Sequence, residues 1–370
     1  MHLIASFDEV LPLLVAAFVA AALIALLITP LVKRLAIRLG NVDRPDPRRV
    51  NERPIPRGGG IAVAAAFIVV AIGVLVANAQ YDIIDIPRSL DRSELLALLV
   101  GGAVATFLGV LDDTLQLRAR WQLLGQVALA AFAVIAGITV TYINNPFGPN
   151  NISLSGPYAI GFTMIWIIGM INSINFIDGL DGLSSGIALI AAVTLGLISI
   201  TTASNEPLVG VLCFALAGSL LGFLRWNFHP ASIFIGTSGV MFVGYTLALL
   251  SILGSAKVAV ALLVLGIPII DTFWIIVRRL ATGRSPFTPD RGHIHHRLLD
   301  LGLTHGQTVL VIYGICILLA VLSFVLSGTQ QAYAFMGLAV AFGLGLFLLT
   351  RAESGDALEA ESYESDKPAS

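Results

Sequence analysis

The 370-residue sequence predicts an all-α, polytopic integral membrane protein of about eleven transmembrane helices, with its N-terminus outside and its C-terminus in the cytoplasm. Three observations carry this reading. The chain is 57% hydrophobic and 12% charged with a mean hydropathy of +0.90, the balance of a lipid-embedded chain and not of a soluble domain. Apolar runs recur along it at the length a bilayer requires, about 17 to 25 residues per helix. Its basic residues are gathered into alternate connections between those runs, as expected for loops retained on the cytoplasmic side.

The first run, 11–32, has no Lys or Arg before it, is too long for the apolar segment of a signal peptide, and is followed by no convincing small-residue cleavage site. It reads as a permanent span. Further runs follow at 59–79, 94–111, 122–142, 158–171, 183–201, 208–224, 239–254, 257–277, 308–327 and 332–350, of which 158–171 and 239–254 are short. Pro268 predicts a kink in the ninth. With the N-terminus outside, 18 of the 21 Lys and Arg residues face the cytoplasm, leaving only Arg88, Arg92 and Lys257 outside. Residues 1–350 form one transmembrane domain, and 351–370 read as a disordered acidic cytoplasmic tail. A net charge of −2 gives no indication of nucleic acid, and Cys213 and Cys316, each within an apolar run, build neither a disulfide framework nor a zinc cluster.

The polarity that remains is concentrated. Asn172, Asn175, Asp178 and Asp181 stand three residues apart between two apolar runs. On a helix that spacing puts them on one drifting face, while Gly179 and Gly182 break the helix and let backbone approach a ligand. Ionisable groups at a membrane border are costly unless paired, solvated or metal-bound. Asp112 and Asp113 end the third run; adjacent carboxylates need a cation or a shared proton, and a hard ion such as Mg²⁺ suits them. The alternative is a solvated helix end neutralised by Arg118 and Arg120.

His293, His295, His296 and Arg297 make an anion-binding set, Arg supplying bidentate contacts to phosphate. Zinc is one rival, with no HExxH and no nearby thiol to support it, and a plain interfacial basic loop is the other. The basic loop around Arg48, Arg49 and Arg53 ends in Gly58-Gly59-Gly60, and anionic lipid headgroups account for much of its charge. No Walker A or GxGxxG context exists. Asn227 to Ser238 forms another border in which Phe234 could stack on a base, and Asp271 lies deeper, facing a functional group or a basic partner. Carboxylates, Asn, Arg and His at one membrane face are equipment for metal-assisted phosphoryl transfer between a cytosolic phosphorylated substrate and a lipid. A secondary transporter would place such groups near the midplane and repeat them in two halves; an intramembrane aspartyl protease would need two facing Asp, with Asp112 and Asp178 as the candidates.

These residues carry a resemblance. The Asp112-Asp113 pair, the Asn-x-x-Asn-x-x-Asp-Gly-x-Asp-Gly-Leu block at 172–183, the Asn-x-x-Pro-Ala-x-x-Phe-x-Gly block at 227–236 and His-Ile-His-His-Arg-Leu at 293–298 occur in order. From about Leu31 to Leu303 the chain resembles the polyprenyl-phosphate N-acetylhexosamine-1-phosphate transferases of glycosyltransferase family 4, and among them those using UDP-GlcNAc. The resemblance implies transfer of sugar 1-phosphate from a UDP-N-acetylhexosamine to undecaprenyl phosphate with release of UMP, at the cytoplasmic face of the bacterial inner membrane. It implies Mg²⁺, with Mn²⁺ as a substitute, and is compatible with a homodimer. By analogy Asp112 assists the attacking lipid phosphate, Asp113 lies at the metal–phosphate centre, and Asn175 binds metal or diphosphate. Asp178 and Asp181 line the nucleotide-sugar site with Asn172, Asn227 and Phe234 line the uridine pocket, and Arg49, His293, His295, His296 and Arg297 hold phosphate and sugar. Two positions depart from the pattern: Asn51 where the family has His, and Thr237 where it has an Asp that binds metal. A hydroxyl is a weaker Mg²⁺ ligand than a carboxylate, so an altered or catalytically inactive member is the corresponding alternative.

Overall fold

The computed structural model describes residues 7–43, 54–84, 90–143, 145, 148, 151–201, 206–254, 257–283, 285, 292–326 and 328–345. The tail 351–370 and, within the basic loop, Arg48, Arg49, Asn51 and Arg53 lie outside the described residues.

The chain is all-α apart from two short hairpins. Helices α1 (Phe7–Arg38), α2 (Gly60–Tyr81), α3 (Arg92–Leu115), α4 (Ala119–Ile135), α5 (Pro157–Ile177), α6 (Leu183–Thr201), α7 (Pro207–Asn227) and α8 (Gly236–Leu253) are followed by α9 (Lys257–Val264), α10 (Gly266–Ala281), α11 (Ile294–Asp300) and α12 (His305–Val325). Residues 329–345 form a further helix. Hairpin β1–β2 (Val42–Asp43 with Ile55–Pro56) lies between α1 and α2, and β3–β4 (Tyr142–Ile143 with Ile152–Ser153) lies between α4 and α5. Local chemistry sets several boundaries. Asp91 and Glu94 form a capping box on α3, as do Thr304 and Gln307 on α12. Pro157 and Pro207 open α5 and α7 at positions that need no N–H donor.

Each of the eleven apolar runs overlaps a helix. Among the described residues eight helices are long and apolar enough to cross a membrane, or nine if the α9–α10 pair is one span; α4 is apolar but shorter. The ninth run is not a gently kinked helix: α9 and α10 meet at 78°, and the break falls at Leu265, three residues before the proline.

Burial orders the bundle into layers. About four-fifths of the apolar windows of α6, α7 and α8 are buried, against 22% for α1. On α1, Leu11, Val15, Val19, Leu23, Leu27, Leu31 and Leu35 are all exposed. Four-residue spacing makes them one continuous stripe, too large an apolar patch for water and suited to lipid. The opposite face of α1, with Leu14, Ala17, Ala21 and Ala25, is buried. It lies against α7, where a Cβ on Gly218 or Gly222 would come within 2.1 Å of the carbonyl oxygens of Phe18 and Ala22. This is the small-xxx-small packing by which membrane helices approach closely without a hydrophobic driving force between them. Trp226 Nε1 secures the crossing by donating to Leu26 O at 3.1 Å.

Candidate active site

Helices α3, α5 and α7 end where α2, α6, α8 and α12 begin, so the polar motifs converge at one end of the bundle. Asp113, in the last turn of α3, meets the start of α8. Its Oδ1 accepts the Thr237 N–H at 2.8 Å and its Oδ2 accepts the Ser238 N–H at 3.0 Å. Both donors belong to the first turn of a helix, which has no internal acceptors for them and carries the positive end of the helix dipole. Gly236, at φ +72°, makes the approach possible, because a Cβ there would lie 2.6 Å from Asp113 Oδ2. Asp112 points elsewhere: its Oδ1 accepts the Leu117 N–H at 3.0 Å and Gln122 Nε2 at 2.7 Å. The turn into α4 and Gln122, not Arg118 or Arg120, supply its hydrogen bonds.

Loop 54–60 is zipped to the same place. Phe234 N–H donates to Pro56 O at 2.8 Å, Gly59 N–H to Phe234 O at 2.9 Å and Gly60 N–H to Ile235 O at 2.8 Å. The arrangement brings Arg57 into the field of Asp113 and Asp178; its guanidinium also lies 3.5 Å from Asp43. The sequence pointed to the three glycines beside it and not to Arg57.

The α5–α6 connection differs in part from the expectation of a single helical face. Asn172 and Asn175 are on α5, but the helix ends at Ile177, Asp178 caps it, and Asp181 sits in the turn that Gly182 closes at φ +78°. Asn172 turns to α4, donating to Gln126 Oε1 at 2.7 Å and to Ile168 O at 2.8 Å. Asn175, one turn before Asp178, is half-buried and its carboxamide makes no hydrogen bond among the described residues. Asp178 accepts the Ser184 hydroxyl at 2.5 Å. Burial pushes its carboxyl up to about 6, Asp113 and Asp181 act in the same direction, and Ser184 and Arg57 oppose it. Asp181 Oδ2 accepts His229 Nδ1 at 2.8 Å and the Ala231 N–H at 3.0 Å, and the Asp181 N–H donates to His305 Nε2 at 2.9 Å.

Asn227 is buried at the end of α7 and braces the loop after it. Its Oδ1 accepts Ser185 Oγ at 2.8 Å and its Nδ2 donates to Ile233 O at 3.1 Å. Phe234 is only half-buried. On the far side, α11 is docked through Asp271, which takes His293 Nδ1 at 2.7 Å and the Ile294 N–H at 2.9 Å. The basic-partner reading of Asp271 holds, and the partner is one of the motif histidines. His295 is buried, with both ring nitrogens lacking a hydrogen-bond partner among the described residues. A Cβ on Gly179 would lie 2.2 Å from its Nε2. Burial and the neighbouring His296, His293 and His305 hold the His295 imidazole well below its usual range, so it is neutral. His296 tilts against it with ring centroids 4.4 Å apart, and Arg297 is buried on the same short helix.

The structure therefore brings Asp113, Asp178, Asp181, Arg57 and the α11 histidines to one end of the bundle. Asp112, Asn172 and Asn227 make tying contacts around them, and Arg49 lies outside the described residues. His229 and His305, absent from the sequence reading of the site, anchor Asp181. Their signals were faint: one histidine inside the 227–236 block and another at a helix start.

A family model for glycosyl transferase family 4 matches residues 95–255, which run from α3 through α8. A Bacillus subtilis protein described as a probable undecaprenyl-phosphate N-acetylglucosaminyl 1-phosphate transferase is 37% identical over 352 residues, covering 94% of this chain and 93% of its own length. A Mycobacterium leprae decaprenyl-phosphate N-acetylglucosaminephosphotransferase is 33% identical, covering 79% of this chain and 78% of its own. A Yersinia pestis undecaprenyl-phosphate alpha-N-acetylglucosaminyl 1-phosphate transferase is 30% identical, covering 78% of each. With similarity of that extent, and with the ordered motifs folded into one site, the chain belongs to glycosyl transferase family 4 and is a membrane enzyme of the phosphoglycosyltransferase type.

Proposed function

We propose that this protein transfers N-acetylglucosamine 1-phosphate from UDP-GlcNAc to undecaprenyl phosphate, giving undecaprenyl-diphospho-GlcNAc and UMP. The observation that carries the reading is the Bacillus subtilis relative, whose name states this acceptor and this transferred group and which matches 94% of the chain. In the reaction a phosphate oxygen of the lipid attacks the β-phosphorus of the UDP-sugar. The bond from that phosphorus to the bridging oxygen breaks, and the oxygen leaves with UMP. The site faces the cytoplasm of the bacterial inner membrane, a placement supported by 18 of 21 basic residues falling on that side.

The donor set suits a hard divalent cation. Asp113, Asp178 and Asp181 are close enough for like charge to raise Asp178, and Asn175 offers a carboxamide oxygen without a partner among the described residues. Asp113, Asn175 and Asp178 would hold Mg²⁺, or Mn²⁺ in its place, which would neutralise charge on the diphosphate. Thr237 contributes only a hydroxyl and its N–H. The protein's own groups do the remaining work. Arg57 and the N-terminus of α8 bring positive potential to the phosphates. His295 presents neutral ring nitrogens, and His296 and Arg297 flank it to position the sugar diphosphate. Asp112, its Oδ1 held by Gln122 and the Leu117 N–H, would turn its other carboxylate oxygen to the lipid phosphate.

The test is transfer of label from UDP-GlcNAc to undecaprenyl phosphate by the purified protein, with a Mg²⁺ titration and an EDTA control. Chelator-sensitive labelling of the lipid with UMP release is the expected result. One observation favours a second reading, a catalytically inactive member: a threonine stands in Gly236-Thr237-Ser238 where the family pattern places a metal-binding carboxylate. Folded protein that labels no lipid with any UDP-N-acetylhexosamine would establish that reading instead.

A further inference from the structure

We infer that Asp181, His229 and His305 form a second divalent-cation site, of the Zn²⁺ class, sharing no ligand with the oxygen-donor centre of Asp113, Asn175 and Asp178. One donor atom from each residue lies within 4.8 Å of the other two. The residues come from three segments far apart in sequence: the turn after α5, the loop after α7 and the first residue of α12. Three such segments do not place two imidazoles and a carboxylate together by local sequence spacing. The rings of His229 and His305 stack, 4.2 Å between centroids and 20° between planes, which holds the two imidazoles side by side next to Asp181.

The protonation pattern suits a metal. His305 Nε2 accepts the Asp181 backbone N–H, so that nitrogen is unprotonated, and it becomes a ligand when a cation takes the place of that amide hydrogen bond. His229 Nδ1 is bonded to Asp181 Oδ2, leaving Oδ1 of the same carboxylate without a hydrogen bond among the described residues. A cation entering between them takes one donor from each residue, and a proton that the His229–Asp181 contact holds leaves to water, as metal binding to such sites requires. Ligand bonds of about 2.0–2.2 Å need the donors to close together slightly. The His229 side chain is 46% exposed and free to make that adjustment, and its exposure leaves a coordination position for water.

The choice of ion follows from the ligands. Two imidazoles and one carboxylate with an open position match zinc and its neighbours among the transition metals, whereas Mg²⁺ selects oxygen. The α11 histidines do not offer the same set: among the described residues, no other three His, Cys, Asp or Glu side chains bring a donor atom from each within 4.8 Å of the others.

The experiment is equilibrium dialysis of tag-free, detergent-purified full-length protein against micromolar Zn²⁺ in millimolar Mg²⁺, with bound metal measured by mass spectrometry. One Zn²⁺ per chain is expected, and His229→Gln and His305→Gln should each weaken binding at least about tenfold. Co²⁺ added to the wild-type protein should give visible absorption of a nitrogen- and oxygen-ligated site, a readout that depends on no variant. Absence of both bound Zn²⁺ and the Co²⁺ spectrum would overturn the assignment. So would Zn²⁺ binding that survives both substitutions, or that is lost in His296→Gln alone, which would put the ion on α11. None of these outcomes depends on transfer activity.

Discussion

Asp113 is a carboxylate that spends one hydrogen bond from each oxygen on the start of another helix, and this defines what a substitution there will do. Asp113→Asn keeps one acceptor for α8 but removes the charge and turns an amide N–H toward a backbone donor. The expected result is transfer lowered by about 10²–10³-fold or more with the protein still inserted, read from label transfer against the amount of folded protein. Thr237→Asp returns a carboxylate beside Asp113, and the Mg²⁺ concentration for half-maximal transfer should fall; an unchanged requirement would mean the ion sits away from α8. Asp178 gives a pH prediction. Its folded carboxyl titrates at about 6, above its usual value of 3.8, so the folded chain binds this proton more tightly than the unfolded chain. Metal-free protein therefore gains stability from this group as pH falls through about 6 toward 4. Comparing melting temperatures of wild type and Asp178→Asn from pH 7.5 to 5 isolates the effect: the wild type should gain on the variant as pH falls. At this scale most of the residue types that the structure gathers at one end of the bundle were legible, because ionisable groups at a membrane border need a reason to be there. Their contacts were not. That Asp112 faces Gln122 while Asp113 faces α8, and that Asn227 braces its own loop, are matters of side-chain direction at helix ends, which spacing does not encode.

At the scale of elements, hydropathy located every apolar run because the bilayer imposes a length on each, but it said nothing of how runs bend or end. Pro268 predicts a kink, yet the 78° break between α9 and α10 falls at Leu265, three residues earlier. Apolar content continues straight through it, so composition carries no mark of the angle. Likewise the Asn-x-x-Asn-x-x-Asp spacing continued past the helix it began on, since Gly179 and Gly182 ended α5 before Asp181 could share its face. The glycines that matter to packing were also silent. Gly218 and Gly222 are unremarkable in an apolar run, but each lies under a backbone carbonyl of α1. Gly222→Val should force α1 away from α7 and lower the melting temperature, at a cost of about 1–3 kcal/mol or more because backbone rather than a side chain must move. Gly73→Val is the control, because nothing lies within 4 Å of a Cβ there. Equal melting temperatures for the two variants would show that the α1–α7 crossing is not set by these glycines.

The whole molecule poses the question of which face carries the site. The converging motifs put it at one end of the bundle, and the basic residues propose that this end is cytoplasmic. The two ends can be told apart chemically because the chain's only thiols, Cys213 and Cys316, are fully buried. A membrane-impermeant maleimide should leave the wild-type protein unlabelled, so a thiol added at an exposed helix end reports its own side. Leu39, 68% exposed just after α1, belongs to the site end. Tyr158, 79% exposed in the first turn of α5, belongs to the other. In intact spheroplasts Tyr158→Cys should label and Leu39→Cys should not, and permeabilisation should make both reactive. The reverse pattern would place the N-terminus inside and turn the site outward. A UDP-sugar made in the cytosol could not then reach the carboxylates, and the proposed reaction would fail on access alone, whatever the chemistry of Asp113. The labelling pattern therefore tests the function as directly as a mutation in the site, and it does so in the intact membrane where the lipid acceptor resides.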